Sequence, residues 1–131
     1  MAIVIFYEKP GCISNTRQKR LLKASGHLLK VRNLLEHPWT PQTLRPFFGD
    51  RPVTDWFNPS APRIRSGEVR PADLTEAQAL ALLCGDPILI RRPLMAVGDD
   101  ARAGFDAALV HRWIGLSDPE TTVTDGCPRL D

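Results

Sequence analysis

The chain opens Met1-Ala2-Ile3-Val4-Ile5-Phe6-Tyr7-Glu8-Lys9-Pro10-Gly11-Cys12-Ile13-Ser14-Asn15-Thr16-Arg17. Ile3 to Tyr7 is short, nearly all apolar and β-branched at its start, the pattern of a buried strand, and Pro10-Gly11 ends it. From Ser14 or Asn15 to Ser25 the pattern turns helical, with Leu21, Leu22 and Ala24 expected on the inner side and Gly26 as a left-handed cap. Cys12 therefore falls between strand and helix, where a thiol faces the unpaired N–H groups of the helix start. Those groups and the helix dipole favour thiolate over thiol.

Outward from this stretch, Leu29, Val31 and Asn33 alternate with Lys30 and Arg32, which predicts a second strand with one exposed face. Thr40-Pro41 reads as an N-cap followed by proline at the first helical position, with Leu44, Phe47 and Phe48 at helical spacing and Gly49 as the stop. Val53, Trp56 and Phe57 predict a second short helix, and residues 58–70 an irregular loop. Thr75-Glu76-Ala77-Gln78 is a capping box; Leu80, Leu82 and Leu83 form the buried side of its helix, which Gly85 caps. Pro87 to Ile90 and Leu94 to Val97 read as strands. Gly98-Asp99-Asp100 turns a hairpin whose second strand ends near Phe105. Asp106 caps a last helix carrying Leu109, Val110, Trp113 and Ile114, stopped by Gly115. Residues 117–131 are expected to be a mobile tail. The order is β-α-β, a helical insertion over about 40–85, then β-β-α. A thioredoxin-like α/β domain over 1–116 requires that order: one mixed four-stranded sheet, helices on both faces, and an active thiol at the first strand–helix junction.

The composition bounds the function. A chain of 131 residues is one domain, and 43% hydrophobic with 24% charged residues is ordinary for a globular protein. Seventeen basic against 15 acidic residues, with no long basic block, suggest neither nucleic-acid nor membrane-surface binding. No apolar run approaches a membrane span, and Met1-Ala2-Ile3-Val4 lacks the charged start and cleavage site of a signal peptide. Three irregularly spaced cysteines fit a reducing compartment, so a cytoplasmic protein is expected.

Cys12 reads either as a nucleophile helped by nearby cations such as Arg17 and Lys9, or as a small hydrophobe at a strand end; Pro10-Gly11 favours the first. Asn15 stands three residues on, so no Cys-x-x-Cys pair exists and a dithiol mechanism through that motif is excluded. Arg92-Pro93 lies between two apolar runs, where proline removes a ladder donor. A cis bond shaping the wall opposite the thiol would explain it, with Arg92 forking onto an anion above Cys12; a trans proline with both arginines solvated is the alternative. Arg63 and Arg65 are further anion contacts or simply solvated. Cys84 reads as core, and Cys127 would resolve a mixed disulfide only if the tail folds back. His27, His37 and His111 have no ligand spacing, so no metal site is expected.

Ile5-Phe-Tyr-Glu-Lys-Pro-Gly-Cys12 and Pro87-Ile-Leu-Ile-Arg-Arg-Pro-Leu-Met95 together resemble the arsenate reductase (ArsC–Spx) family of thioredoxin-like proteins, over roughly residues 2–116. Cys12-Ile-Ser-Asn-Thr-Arg-Gln-Lys19, Trp56-Phe-Asn-Pro59 and Gly104-Phe-Asp106 are most similar to its nitrogenase-associated branch. The resemblance implies that Cys12 attacks an oxyanion, glutathione forms a mixed disulfide with it, and glutaredoxin releases the product, with no bound cofactor. It implies anion contacts from Arg92, beside a cis Pro93, and from Arg63. The chain departs from the reductases at Glu8 and Lys9, where they carry histidine and asparagine. It also has four residues, not three, before Arg17, and Phe105 in place of a third arginine. The rival expectation is a non-catalytic protein of this fold that docks on a nitrogenase-system protein or, as regulators of the family do, on RNA polymerase.

Overall fold

A computed structural model describes residues 1–117. Ile3–Glu8 forms β1, which buries Val4 and Phe6 completely on one face and half-buries Ile5 and Tyr7 on the other, so both faces of the sheet need cover. Helix α1 (Ile13–Ala24) carries the chain to β2 (Leu28–Asn33), parallel to β1. The insertion holds three helices, α2 (Pro41–Leu44), α3 (Pro62–Arg65) and α4 (Glu76–Gly85). The chain re-enters the sheet as β3 (Leu94–Val97), antiparallel to β1, turns through Gly98-Asp99 into β4 (Asp100–Ala103), and closes with α5 (Ala107–Ile114). Strand order is β2-β1-β3-β4. This is the mixed four-stranded thioredoxin-like sheet that the element order predicts.

Two cores result. On one face Val4, Phe6 and Met95 pack with Leu22, Phe105, Val110 and Leu116, roofed by α1 and α5. On the other, Leu94 and Ala103 meet the insertion through Leu44, Phe47, Phe48, Trp56, Leu83 and Leu89. Trp56 anchors that side: it stacks on Phe48 at 4.8 Å and donates from Nε1 to the Arg51 carbonyl at 2.9 Å, with the Arg45 guanidinium 4.8 Å above its ring.

Several local expectations need correction. Pro87–Ile90 is not a strand: Pro87–Leu89 is a 3-10 turn, and Ile90 makes only an isolated bridge to Phe57. Its apolar character serves burial in the insertion core, and proline at the first position suits a helical turn better than a ladder. Val53–Asp55 is a 3-10 turn rather than a helix reaching Phe57. Residues 58–70 are not wholly irregular, because Pro62 starts the single turn of α3. Gly85 belongs to α4, and Asp86 follows as its cap. β4 stops at Ala103, since Gly104 takes φ +78° and Phe105 turns into the core. Ala24 and Leu109 are exposed, leaving Leu22 and Val110 as the buried apolar residues of α1 and α5. Val31 is exposed as well, so β2 shows more of itself to solvent than one face. The tail expected over 117–131 lies, apart from Ser117, outside the described residues, as does Cys127.

The sheet's outer strands are blunted alike. Leu28 and Leu34 donate to the carbonyls of Ala2 and Glu8, so the Val31 carbonyl faces away from β1, and Arg32 Nη1 covers it at 3.1 Å. On the opposite edge Arg102 Nη1 covers the Ala101 carbonyl at 3.0 Å. Charged side chains over edge carbonyls discourage strand addition. Both ends of the described chain are tied to the α1–β2 joint: His27 accepts from the Ala2 N–H at 3.0 Å and donates to the Gly115 carbonyl at 2.7 Å, and Ser117 N–H donates to Ser25 Oγ at 3.0 Å.

Where β1 ends, Tyr7 joins Trp39 (4.9 Å), His37 (5.1 Å) and Phe47 (5.7 Å) in an aromatic cluster. Burial first, then the Arg32 charge, holds the His37 imidazole below its ordinary range. The unfolded chain therefore binds this proton more readily, and stability falls as pH drops below the ordinary value of 6.5. Urea unfolding at about pH 7.5 and about pH 5 should show a smaller acid loss in His37→Phe than in the natural chain. Equal losses would remove His37 as a source of the effect. Trp56→Ala should cost about 3–5 kcal/mol in the same assay.

Candidate functional site

The loop before α1 is built by turn chemistry. The Cys12 N–H donates to the Lys9 carbonyl at 3.1 Å, with Pro10 and Gly11 between them and Gly11 at φ +83°. Proline second and positive-φ glycine third is the pattern of a type II turn. Cys12 leaves the turn in extended backbone (φ −74°, ψ 120°) and becomes the N-cap of α1, accepting from Thr16 N–H at 3.1 Å through its carbonyl. The residue thus caps α1 where the first-turn amides begin, its side chain making no cap hydrogen bond to them, and it is only 6% exposed.

Two ties fix the strand side of the loop. Glu8, the last residue of β1, pairs with Lys19 of α1 at 2.7 Å, both side chains mostly buried. Lys9 N–H donates to Asn15 Oδ1 at 3.1 Å, and Asn15 Nδ2 donates to Gln18 Oε1 at 2.9 Å. Asn15 and Gln18 have no exposure at all, and Ser14 is buried beside them. The start of α1 therefore packs inward through amides and a hydroxyl. Sequence reasoning assigned only leucines and alanine to that face. The one available signal was Ser14, Asn15 and Gln18 sharing helical spacing with Leu22, a pattern that also fits a solvated face.

The Arg92-Pro93 joint lies just ahead of β3. Tyr7 pairs with Leu94, so Pro93 and Arg92 come level with Glu8 and Lys9 at the C-terminal end of β1, the end from which the Cys12 loop departs. The Arg92–Pro93 peptide bond is cis, both residues are buried, and the Pro93 carbonyl accepts from Gly104 N–H at 2.8 Å. The preceding segment is clamped to the insertion: Asn58 N–H donates to the Leu89 carbonyl (2.8 Å) and Arg91 N–H to the Trp56 carbonyl (3.0 Å). Asn58 is itself buried, a contributor that the sequence marked only as part of the Trp56–Pro59 segment.

The other candidates stand apart. Arg17 is exposed, away from the buried stripe of α1. Arg63 pairs with Asp86 at 2.8 Å and with Glu68, which hold its guanidinium above the ordinary range. Arg65 is exposed. Phe105 is buried in the α1–α5 core, so no cation stands at that position. Cys84 is half-buried against the insertion core, and burial pushes its thiol up. His111 accepts from Leu116 N–H at 2.9 Å, and among the described residues no group of three or more His, Cys, Asp or Glu could hold a metal ion. A cleft of about 810 Å³ opens between Phe48, Arg51, Arg102 and Trp113, and neither Cys12 nor Arg92 lines it. Among the described residues no helix is long and apolar enough to cross a membrane.

Comparison with known proteins agrees with this fold. The ArsC family model matches residues 7–112. The chain is 56% identical over 128 residues to an uncharacterised 15.7 kDa protein in the draG 3′ region of Rhodospirillum rubrum, covering 98% of this chain and 90% of that one. It is 26% identical over 104 residues to the uncharacterised protein YusI of Bacillus subtilis, covering 76% and 88%. Among solved structures, an ArsC family related protein from Bacteroides fragilis superposes with a TM-score of 0.74 at 21% identity, covering 83% of this chain and 97% of that one. An arsenate reductase from Vibrio cholerae gives 0.71 at 21% identity, covering 85% and 97%. At those identities the two structures speak for the fold alone.

The turn yields a direct test. Apart from Gly11 and its two chain neighbours, no heavy atom lies within 4 Å of the place a Cβ on Gly11 would occupy, so the backbone conformation is what opposes a side chain. Gly11→Ala should lower stability by about 1 kcal/mol in urea unfolding. No loss would mean that the loop does not need its positive φ.

Proposed function

Since the chain belongs to the ArsC family, we propose that it is a cytoplasmic monothiol oxidoreductase-like protein, arsenate reductase-like in chemistry, whose nucleophile is Cys12. The observation that carries this reading is the N-cap position of Cys12, held by a type II turn next to the end of the sheet that Arg92 and Pro93 also border. A thiol beside first-turn amides gains thiolate character from the helix dipole, and a nucleophile needs that at neutral pH. The reacting unit is residues 1–116.

The reaction proposed is the one that the resemblance to the arsenate reductases implies, and it needs a single active thiol on the protein. The Cys12 thiolate bonds to the central atom of an oxyanion, and one oxygen leaves as water. The thiol of glutathione, the proposed co-substrate, supplies the second sulfur. The two sulfurs join as a mixed disulfide while the central atom takes two electrons and departs reduced. Glutaredoxin then removes the glutathionyl group by thiol–disulfide exchange and restores Cys12. Arg92 is the proposed anion contact, through the forked geometry of guanidinium. Arg63 would have to leave Asp86 and Glu68 to join it, and Arg17 stands on the exposed side of α1. That weak cation supply favours an oxyanion or glutathione-linked substrate held mainly by Arg92 over arsenate gripped by three arginines.

The nitrogen-fixation setting rests on the resemblance of the Cys12, Trp56 and Gly104 segments to nitrogenase-associated proteins, and the draG-region name of the Rhodospirillum rubrum relative is compatible with it. The buried Phe105 and the paired Arg63 also favour a second reading, a non-catalytic protein of this fold docking on a nitrogenase-system protein or on RNA polymerase.

Iodoacetamide alkylation across pH, read by mass spectrometry, separates the two. Under the enzymatic reading Cys12 reacts with a midpoint well below the ordinary cysteine value of about 8.5, while Cys84 in the same sample lags above it. A Cys12 midpoint at or above about 8.5 would overturn the reading. Cys12→Ser should then abolish glutathione- and glutaredoxin-dependent reduction while leaving the thermal midpoint nearly unchanged.

A further inference from the structure

We propose that Asn15 is the positioning residue of the cysteine loop, its side-chain amide holding Cys12 against the first turn of α1 by gripping the backbone of Lys9. The inference rests on the reading of Cys12 as nucleophile and adds to it how the loop is kept in place.

The geometry is a closed ring. Lys9 uses both of its backbone groups on this loop: its carbonyl accepts the Cys12 N–H (3.1 Å) and its N–H donates to Asn15 Oδ1 (3.1 Å). Asn15 is the third residue of the helix that Cys12 caps, so the chain runs from Lys9 through the turn to Cys12, along the helix to Asn15, and back to Lys9 through a hydrogen bond. In an ordinary capping box the third helical residue reaches back to the N-cap N–H. Here the Cys12 N–H is taken by the turn, and the reach extends to the residue that starts the turn.

The orientation of the amide follows from the chemistry of its partners. A backbone N–H can only donate, so the oxygen of Asn15 must face Lys9, and Nδ2 is left to donate to Gln18 Oε1 at 2.9 Å. Both side chains are fully buried, where an amide costs more than a hydrocarbon of equal size unless its hydrogen bonds are made. Packing alone would be served by leucine, as Leu22 serves it further along the same face. What leucine cannot supply is an acceptor for the Lys9 N–H. Without one, that peptide must rotate toward water, and the rotation carries the turn and Cys12 away from the helix amides.

Asn15→Leu and Asn15→Ser test the assignment, with Leu22→Ala as a control that destabilises the same helix face without touching the loop. Two quantities are read in each protein: hydrogen exchange of the Lys9 amide by NMR, and the pH midpoint of Cys12 alkylation. In Asn15→Leu the Lys9 amide should exchange at least about tenfold faster. The alkylation midpoint should rise by about one unit, a tenfold change in the thiol–thiolate equilibrium constant. Asn15→Ser, whose hydroxyl can still accept, should fall between, and it carries both readouts if Asn15→Leu does not fold. Leu22→Ala should lower the thermal midpoint by at least as much and move neither quantity. Unchanged Lys9 protection in the Asn15 variants, or an equal midpoint shift in Leu22→Ala, would overturn the assignment. The two readouts also separate this inference from the one beneath it. An ordinary midpoint in the natural chain would end the nucleophile reading, while Lys9 exchange would still decide whether Asn15 holds the loop.

Discussion

β1 has a strand on each edge and a core on each face, and that double burial sets most of what surrounds it. A strand so placed can tolerate no unpaired backbone and little polarity along its length, which is why it reads Ile-Val-Ile-Phe-Tyr. Its polar residues gather where it ends. Glu8 goes to Lys19 of α1, and Lys9 divides its backbone between the turn and Asn15. The chemistry proposed for Cys12 is thus located by the point at which the sheet stops needing apolar residues. The same boundary places β3: its pairing with β1 begins at Leu94, so Arg92 and Pro93 are left at the rim rather than in the ladder.

The parts of this fold that could be read from sequence are those whose signal is local. The Thr75–Gln78 box, the Thr40-Pro41 start and the Asp106 cap each state a backbone requirement within four residues, and each forms its expected hydrogen bond. Gly26 and Gly115 likewise take positive φ at helix ends. Pro87–Ile90 defeated the same approach because a short apolar run records burial without recording what kind of backbone is buried. Only its contact with Phe57 and Asn58, thirty residues earlier in the chain, distinguishes a turn packed on the insertion from a strand.

The site divides along the same line. The place of Cys12 between turn and helix was legible because strand, turn and helix signals converge on one position. The polar stripe of Ser14, Asn15 and Gln18 was not, because amides at helical spacing look alike whether they face water or a loop. Arg63 illustrates the converse. An arginine in a proline-rich loop invites an anion, yet the carboxylates that take it up, on Glu68 and Asp86, are chosen by the tertiary fold.

The supply of positive charge near the thiol bears on what the protein can act on. A multiply charged oxyanion needs several donors at once to offset its desolvation, and each missing cation weakens the transition state more than the ground state as charge concentrates. Phe105 removes one such position for good, because it fills the core between β1, α1 and α5, where an arginine would be buried among Val4, Phe6 and Val110. Restoring a cation there would cost the packing that holds α5 on the sheet. The fold has therefore committed this position to stability. Cys12 itself lies where a type II turn meets α1, with the Lys9–Asn15 hydrogen bond beside the turn and the buried Arg92 at the same end of the sheet.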